Sequence, residues 1–205
     1  MTATIGIPSD IAAQTPTSLA ALDEYTHINL GGYDWTVWNF LGRKQLSPHG
    51  DKKLSGCKIY EEASPDGQAP MFGATLEHET LTNLSARSGL VASLAEAIQW
   101  ASGFRWATRK AGSLTWLAES PDAALWHARI GISEAEIFHC DSYDRYIVRR
   151  SIRLGNQLIK LELNDMSLGD ETRSITTFEQ ASAIALTMTD YVLELMRNAE
   201  HGDNH

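Results

Sequence analysis

Residues 145 to 163 read RYIVRRSIRLGNQLIKLEL, and this stretch decides the fold. Gly155-Asn156 is a two-residue hairpin loop, since both residue types accept the positive φ that such a turn demands. The loop sets Leu154 opposite Gln157, and the strand period of two then sets every other pair. Ile152 faces Ile159, Arg150 faces Leu161 and Val148 faces Leu163 on the side that reads as core. Arg153 faces Leu158, Ser151 faces Lys160 and Arg149 faces Glu162 on the other. Arg150 therefore falls among apolar residues, where a guanidinium requires a carboxylate or a sheet edge; Asp165, Asp170 and Glu171 are in reach along the chain.

Working outward, Leu125 to Gly131 and Glu134 to Cys140 read as two preceding strands. A long helix follows from Thr177 to Asn198, with Phe178, Ala181, Ile184, Ala185, Met188, Val192 and Leu195 on one stripe. The first half repeats the order. Thr26 to Leu30 and Tyr33 to Leu41 form a hairpin about Gly31-Gly32; Leu54 to Glu62 and Pro70 to Leu81 form another about a Pro65-Asp66-Gly67 turn. A helix from Ser93 to Ser102 opens with the capping box Ser93-x-x-Glu96 and stops at Gly103. Ser93-Leu94-Ala95-Glu96-Ala97 matches Thr177-Phe178-Glu179-Gln180-Ala181 in type, and Trp126 takes the place in the second unit that Trp35 and Trp38 hold in the first.

The expected fold is α+β: antiparallel sheets with a helix packed on each, as two tandem ββββα units with a short N-terminal helix from Ser18 to Tyr25. The corresponding boundaries are a loosely ordered segment over 1–18, a first unit over 19–103, a connector over 104–124, a second unit over 125–200 and a frayed tail over 201–205.

The chain has 205 residues, 17 Lys and Arg against 26 Asp and Glu, and a formal charge of -9. This charge disfavours unassisted binding to phosphate backbones or anionic lipid. Residues 111–205 hold most of the excess, with eight basic and fifteen acidic side chains. The two cysteines, Cys57 and Cys140, support neither a disulfide framework nor a zinc ribbon, and no run reaches a bilayer-spanning length. A cytoplasmic setting is the expectation. Phosphate-binding loops, dinucleotide fingerprints, metalloprotease helices and nucleophile elbows are all missing from the sequence.

Residues 138 to 144, FHCDSYD, form the densest polar cluster. His139 and Cys140 are adjacent on a strand and point to opposite faces, so a nucleophile and base cannot converge there. His78, His127 and His139 lack metal-ligand spacing, and no catalytic residue, metal or cofactor is assigned. Trp35 and Trp38 project to opposite sides of one strand, so one of them emerges from the core as a binding candidate. Arg145, Arg149 and Arg153 share one strand face and form the other candidate surface; Arg105, Arg109 and Lys110 make a second basic group. The favoured reading is a non-enzymatic acidic protein-interaction module, extending to an inhibitor of the mobile-element type that occupies a basic or nucleic-acid-binding surface of a partner protein. A nucleic-acid-binding accessory protein using the arginine row, and a small-molecule enzyme using His127, His139 or Asp141, are the alternatives.

Overall fold

The structure, a computed structural model, describes residues 15–50, 54–64, 69–154, 157–163, 166–168 and 171–188, with side chains outside 153–159 and 161–173. The chain divides into two compact units between Arg105 and Trp106. The expected lead-in up to residue 14, the Pro65-Asp66-Gly67 turn, the Gly155-Asn156 loop, the helix beyond 188 and the tail at 201–205 lie outside the described residues.

The first unit opens with a 3₁₀ turn, Leu19–Ala21, capped by the Ser18 hydroxyl, which accepts from the Ala20 N–H. It is shorter than the helix expected to reach Tyr25. Six strands follow: β1 (His27–Leu30), β2 (Tyr33–Phe40), β3 (Arg43–Pro48), β4 (Cys57–Glu62), β5 (Met71–Glu77) and β6 (Ser85–Arg87). They pair antiparallel in chain order. Trp35, Val37, Leu46, Ile59 and Ala74 are buried on one face. Helix α1 (Leu94–Gly103) lies over β4 and β5 and buries Leu94, Ala97, Ile98 and Ala101.

Two strands in this unit go beyond the four expected. Leu41 is not the end of β2 but, with Gly42, a turn of positive φ at 52° and 80° that leads into β3. Arg43-Lys44-Gln45-Leu46-Ser47-Pro48 carries a single fully buried apolar residue, Leu46, too little for an alternation to show. β6 is three residues with only Ala86 buried. Helix α1 does begin with the expected capping box: Glu96 N–H donates to Ser93 Oγ at 3.3 Å, and Ser93 N–H to Glu96 Oε2 at 3.1 Å. Its end differs, because Gly103 is the last helical residue and Phe104 leaves in extended conformation at φ -62°.

The second unit has the strands β7 (Ala107–Ala111), β8 (Leu114–Ala118), β9 (Leu125–Ile130), β10 (Ser133–Cys140), β11 (Arg145–Leu154) and β12 (Gln157–Leu163), again antiparallel in chain order. A separate hairpin of β13 (Met166–Leu168) and β14 (Glu171–Arg173) precedes helix α2, described over 178–188. The β11–β12 register is the one the hairpin loop dictates, from Leu154 opposite Gln157 through Val148 opposite Leu163. The α+β class with a helix on each antiparallel sheet holds. The connector over 104–124 does not, since β7 and β8 occupy it; Thr108, Arg109 and Lys110 mask the strand pattern there.

Phe178, at the start of α2, fixes that helix to its sheet. Trp116, Trp126 and Tyr146 meet its ring edge-on at centroid distances of 5.7, 5.8 and 6.0 Å, and the Arg109 guanidinium lies 3.9 Å from its centre. The matching capping pair is present too: Gln180 N–H donates to Thr177 Oγ1, and Gln180 Oε1 accepts from Thr177 N–H, both at 3.2 Å. The tryptophan equivalence read from sequence is corrected. Leu30-Gly31-Gly32-Tyr33-Asp34-Trp35 aligns with Ala111-Gly112-Ser113-Leu114-Thr115-Trp116, each glycine in a positive-φ turn and each tryptophan fully buried in the second strand of its unit. Trp126 stands on β9, the third strand.

The two turn glycines separate strain from packing. Both have positive φ, 64° at Gly31 and 59° at Gly112, but a Cβ at Gly31 would stand 2.7 Å from Ile98 Cγ2 on α1, while one at Gly112 would meet nothing. Gly112→Ala is expected to cost about 1 kcal/mol from the left-handed backbone alone, and Gly31→Ala about 1 to 3 kcal/mol more from overpacking. Urea denaturation of both variants measures the difference; equal costs would show that the first turn does not press on its helix.

Candidate functional site

The candidate surfaces lie one on each unit. In the first, the alternation of β2 separates its two tryptophans. Trp35 faces inward, is fully buried and donates its Nε1 hydrogen to the Leu30 carbonyl at 3.0 Å, so it belongs to the core and not to a binding surface. Trp38 faces outward and is 44% exposed.

Trp38 has exposed apolar company. Tyr25 meets it edge-on at 5.5 Å with an interplanar angle of 80°, and Phe40 follows on the same side of β2. Tyr25 is 65% exposed, Phe40 63% and Leu41, in the adjoining turn, 89%. Tyr25 and Leu41 both hold positive φ, 62° and 52°, a conformation unfavourable to large side chains. Backbone bonds hold Tyr25 in place: its N–H donates to the Val37 carbonyl at 2.8 Å, and Val37 N–H donates back to the Thr26 carbonyl at 3.0 Å. Across the sheet Trp38 stands in a row with Gln45, Tyr60 and Gly73, where the Tyr60 ring covers the space that a side chain at 73 would fill.

A pocket of about 620 Å³ opens beside the β2–β3 turn, lined by Leu19, Asn39, Arg43, Lys44, Glu61 and Glu62 among others. Two of its charges have structural work. Glu61 accepts from the Ser18 hydroxyl at 3.0 and 2.9 Å and from Leu19 N–H, and Lys44 donates to the carbonyls of Ala20 and Leu22. They tie the 3₁₀ turn to the sheet.

In the second unit the arginine row lies on the outward side of β11, but interleaved with carboxylates. Arg149 stands opposite Glu136 on β10 and Glu162 on β12, and Glu136 stands opposite His127 on β9. His127 Nδ1 is 3.9 Å from Glu136 Oε1. Arg145 is opposite Cys140; Arg153 is opposite Leu158, with its side chain outside the described ones. Carboxylates thus flank the row at Arg149, its middle member, which interrupts the bare basic stripe that phosphate binding would use.

Arg150 turns inward as its register requires and is 2% exposed. Its Nη2 donates to the Ser133 hydroxyl, and burial lowers the guanidinium pKa to about 10. The hydroxyl partner was not foreseen; the side chains of Asp165, Asp170 and Glu171 lie outside the described ones. Ser133 lies diagonally across from Arg150, a placement that only the β10–β11 register reveals.

The 138–144 cluster is a braced turn. His139 sits between two carboxylates, Nδ1 2.8 Å from Asp141 Oδ1 and Nε2 3.3 Å from Asp144 Oδ1, with its ring 4.7 Å from Tyr146. Cys140, next along β10, faces the other way toward Arg145. His78 Nδ1 accepts from the N–H groups of Thr80 and Leu81, capping the turn after β5. Among the described residues no cluster of three or more His, Cys, Asp or Glu has metal-holding geometry. No described helix is long and apolar enough to cross a membrane. Comparisons with family models, curated proteins and solved structures return no match.

Burial also separates the two thiols. Cys57 is buried on β4 and its pKa is pushed up to about 12, so almost no nucleophilic thiolate forms near neutrality, whereas Cys140 is partly exposed. A chromogenic disulfide reagent at mildly alkaline pH is expected to titrate Cys140 in the native protein and Cys57 only after denaturation. Two fast native thiols would contradict the inward placement of Cys57.

Proposed function

We propose that this chain is a non-enzymatic protein-interaction module whose contact surface is the aromatic ledge of the first unit, Tyr25, Trp38, Phe40 and Leu41. The observation that carries the reading is their exposure together with the strained backbone at two of the four. A large apolar side chain in the left-handed region costs stability, and exposing it forgoes the burial that would offset this cost; such outliers cluster at functional surfaces. Trp and Tyr are also the residue types that anchor interfaces.

Charge specifies the complement. The chain carries -9 overall, and Asp23 and Glu24 adjoin Tyr25 in the sequence. Glu24 accepts from Asn39 Nδ2 at 2.6 Å and so lies beside β2. A suitable partner is a protein with an apolar socket in a basic surround, which is the character of a surface that ordinarily holds nucleic acid; occupying it makes the chain an inhibitor. An arginine row whose middle member, Arg149, already stands between Glu136 and Glu162 gives less support to direct nucleic-acid binding.

The test uses the tagged full chain as bait in an extract of its host, beside the Trp38→Ala/Tyr25→Ala double variant. A stoichiometric protein partner should be recovered by the wild type and weakened more than tenfold by the variant, the loss of about 2 kcal/mol that an aromatic anchor contributes. The melting temperature should fall by no more than a few degrees, since Tyr25 is 65% and Trp38 44% exposed. Recovery of nucleic acid alone, or equal capture by the variant, would refute the reading.

A further inference from the structure

The two six-stranded sheets have four outer strands, and they are unequal. β1 has four residues and β6 three, too short to template another strand. β7 has five and carries Arg109 bent across toward α2, 3.0 Å from Glu179 and stacked on Phe178; an inward-turned charge of this kind guards an edge. β12 is the exception, with seven residues and, among the described residues, no strand on its outer side.

The register fixes what that edge offers. In a two-residue hairpin the flanking pair, here Leu154 and Gln157, is hydrogen-bonded, and bonded pairs alternate from there. Gln157, Ile159, Leu161 and Leu163 therefore spend their backbone groups on β11. Leu158, Lys160 and Glu162 direct N–H and C=O to the free edge.

A second copy of β12 related by a two-fold axis must match outward residues with outward residues. An axis at Lys160 opposes lysine to lysine, and one at Glu162 opposes glutamate to glutamate. An axis at Leu161 opposes Lys160 to Glu162 twice, and on the core side brings Leu161 opposite Leu161 and Ile159 opposite Leu163. The register row Glu136, Arg149, Glu162 would then continue with Lys160 of the second copy without breaking its alternation.

We propose that the protein forms a two-fold homodimer through antiparallel β12–β12 pairing centred on Leu161, with Lys160 and Glu162 as reciprocal partners. This association is independent of the aromatic ledge. Lys160 is exposed, as the pairing requires.

Light scattering on a sizing column over the micromolar range tests it. The wild type should approach twice the chain mass of 22.6 kDa as concentration rises. Lys160→Glu and Glu162→Lys should each raise the dissociation constant roughly tenfold to a hundredfold, because each turns two opposite-charge contacts into two like-charge ones. Mixing the two variants should restore a dimer, since every contact in the mixed pair is again of opposite sign. Lys160→Pro removes an outward N–H without touching the β11 ladder and should yield a monomer with unchanged circular dichroism. A wild type that stays at the monomer mass would overturn the proposal, as would a dimer indifferent to all three substitutions or folded variants that fail to pair on mixing.

Discussion

The two-residue period of the β-strand, anchored where Leu154 meets Gln157, is the constraint on which the second unit depends. A slip of one residue would send Val148 and Ile152 into water and bring Arg149 into the core, so the burial of the first pair and the exposure of the third hold the register against error. The same phase carries through β10 and β9. It puts Ile137, Ala135, Ala128 and Trp126 beneath α2 and leaves Glu134, Glu136 and His127 on the reverse. Phe178 then locks the helix by filling the space between Trp116, Trp126 and Tyr146.

Charge placement follows from that phase. It sets Arg145, Arg149 and Arg153 on the outward side of β11, with Arg149 between Glu136 of β10 and Glu162 of β12, Arg145 opposite Cys140 and Arg153 opposite Leu158. Arg150 is the costly exception. Burial depresses its pKa, and a neutral hydroxyl, Ser133, takes one of its donors. Replacing a buried charge with an apolar residue is often neutral or stabilising, so the register is held by Val148 and Ile152 and not by Arg150, which a slip of one would release to solvent.

How much of this was legible depended on the kind of signal each residue carries. β9 to β12 could be read because apolar residues alternate there, and both helix starts because a capping pair is a local chemical arrangement. β3 and β7 were hidden, because charge falls on both faces of each strand: Lys44 shares the face of Leu46, and Arg109 that of Ala111. Gly112-Ser113 was the signal that could have revealed the hairpin over 107–118, as a turn pair followed closely by Trp116. Trp35 and Trp38 were separable in principle, three residues apart, but which of them faced the core needed the helix position. The left-handed Tyr25 and Leu41 were invisible, because nothing in the residue type announces a conformation it disfavours.

The two units agree and differ along a consistent line. Each has a six-stranded antiparallel sheet, a glycine turn ahead of a fully buried tryptophan, and a capping pair, Ser93 with Glu96 or Thr177 with Gln180, at the helix start, the second unit adding the β13–β14 hairpin. All of the shared features hold a helix against a sheet. Their outward faces share nothing of the kind: the first presents Trp38, Tyr60 and Phe40, while on the second Arg149 stands between Glu136 and Glu162, and His127, next across the sheet, is buried at 3% exposure. Packing requirements are met by the common part, so they give no reason for the outward faces to diverge. Partner contact by the aromatic face, as proposed above, would supply one.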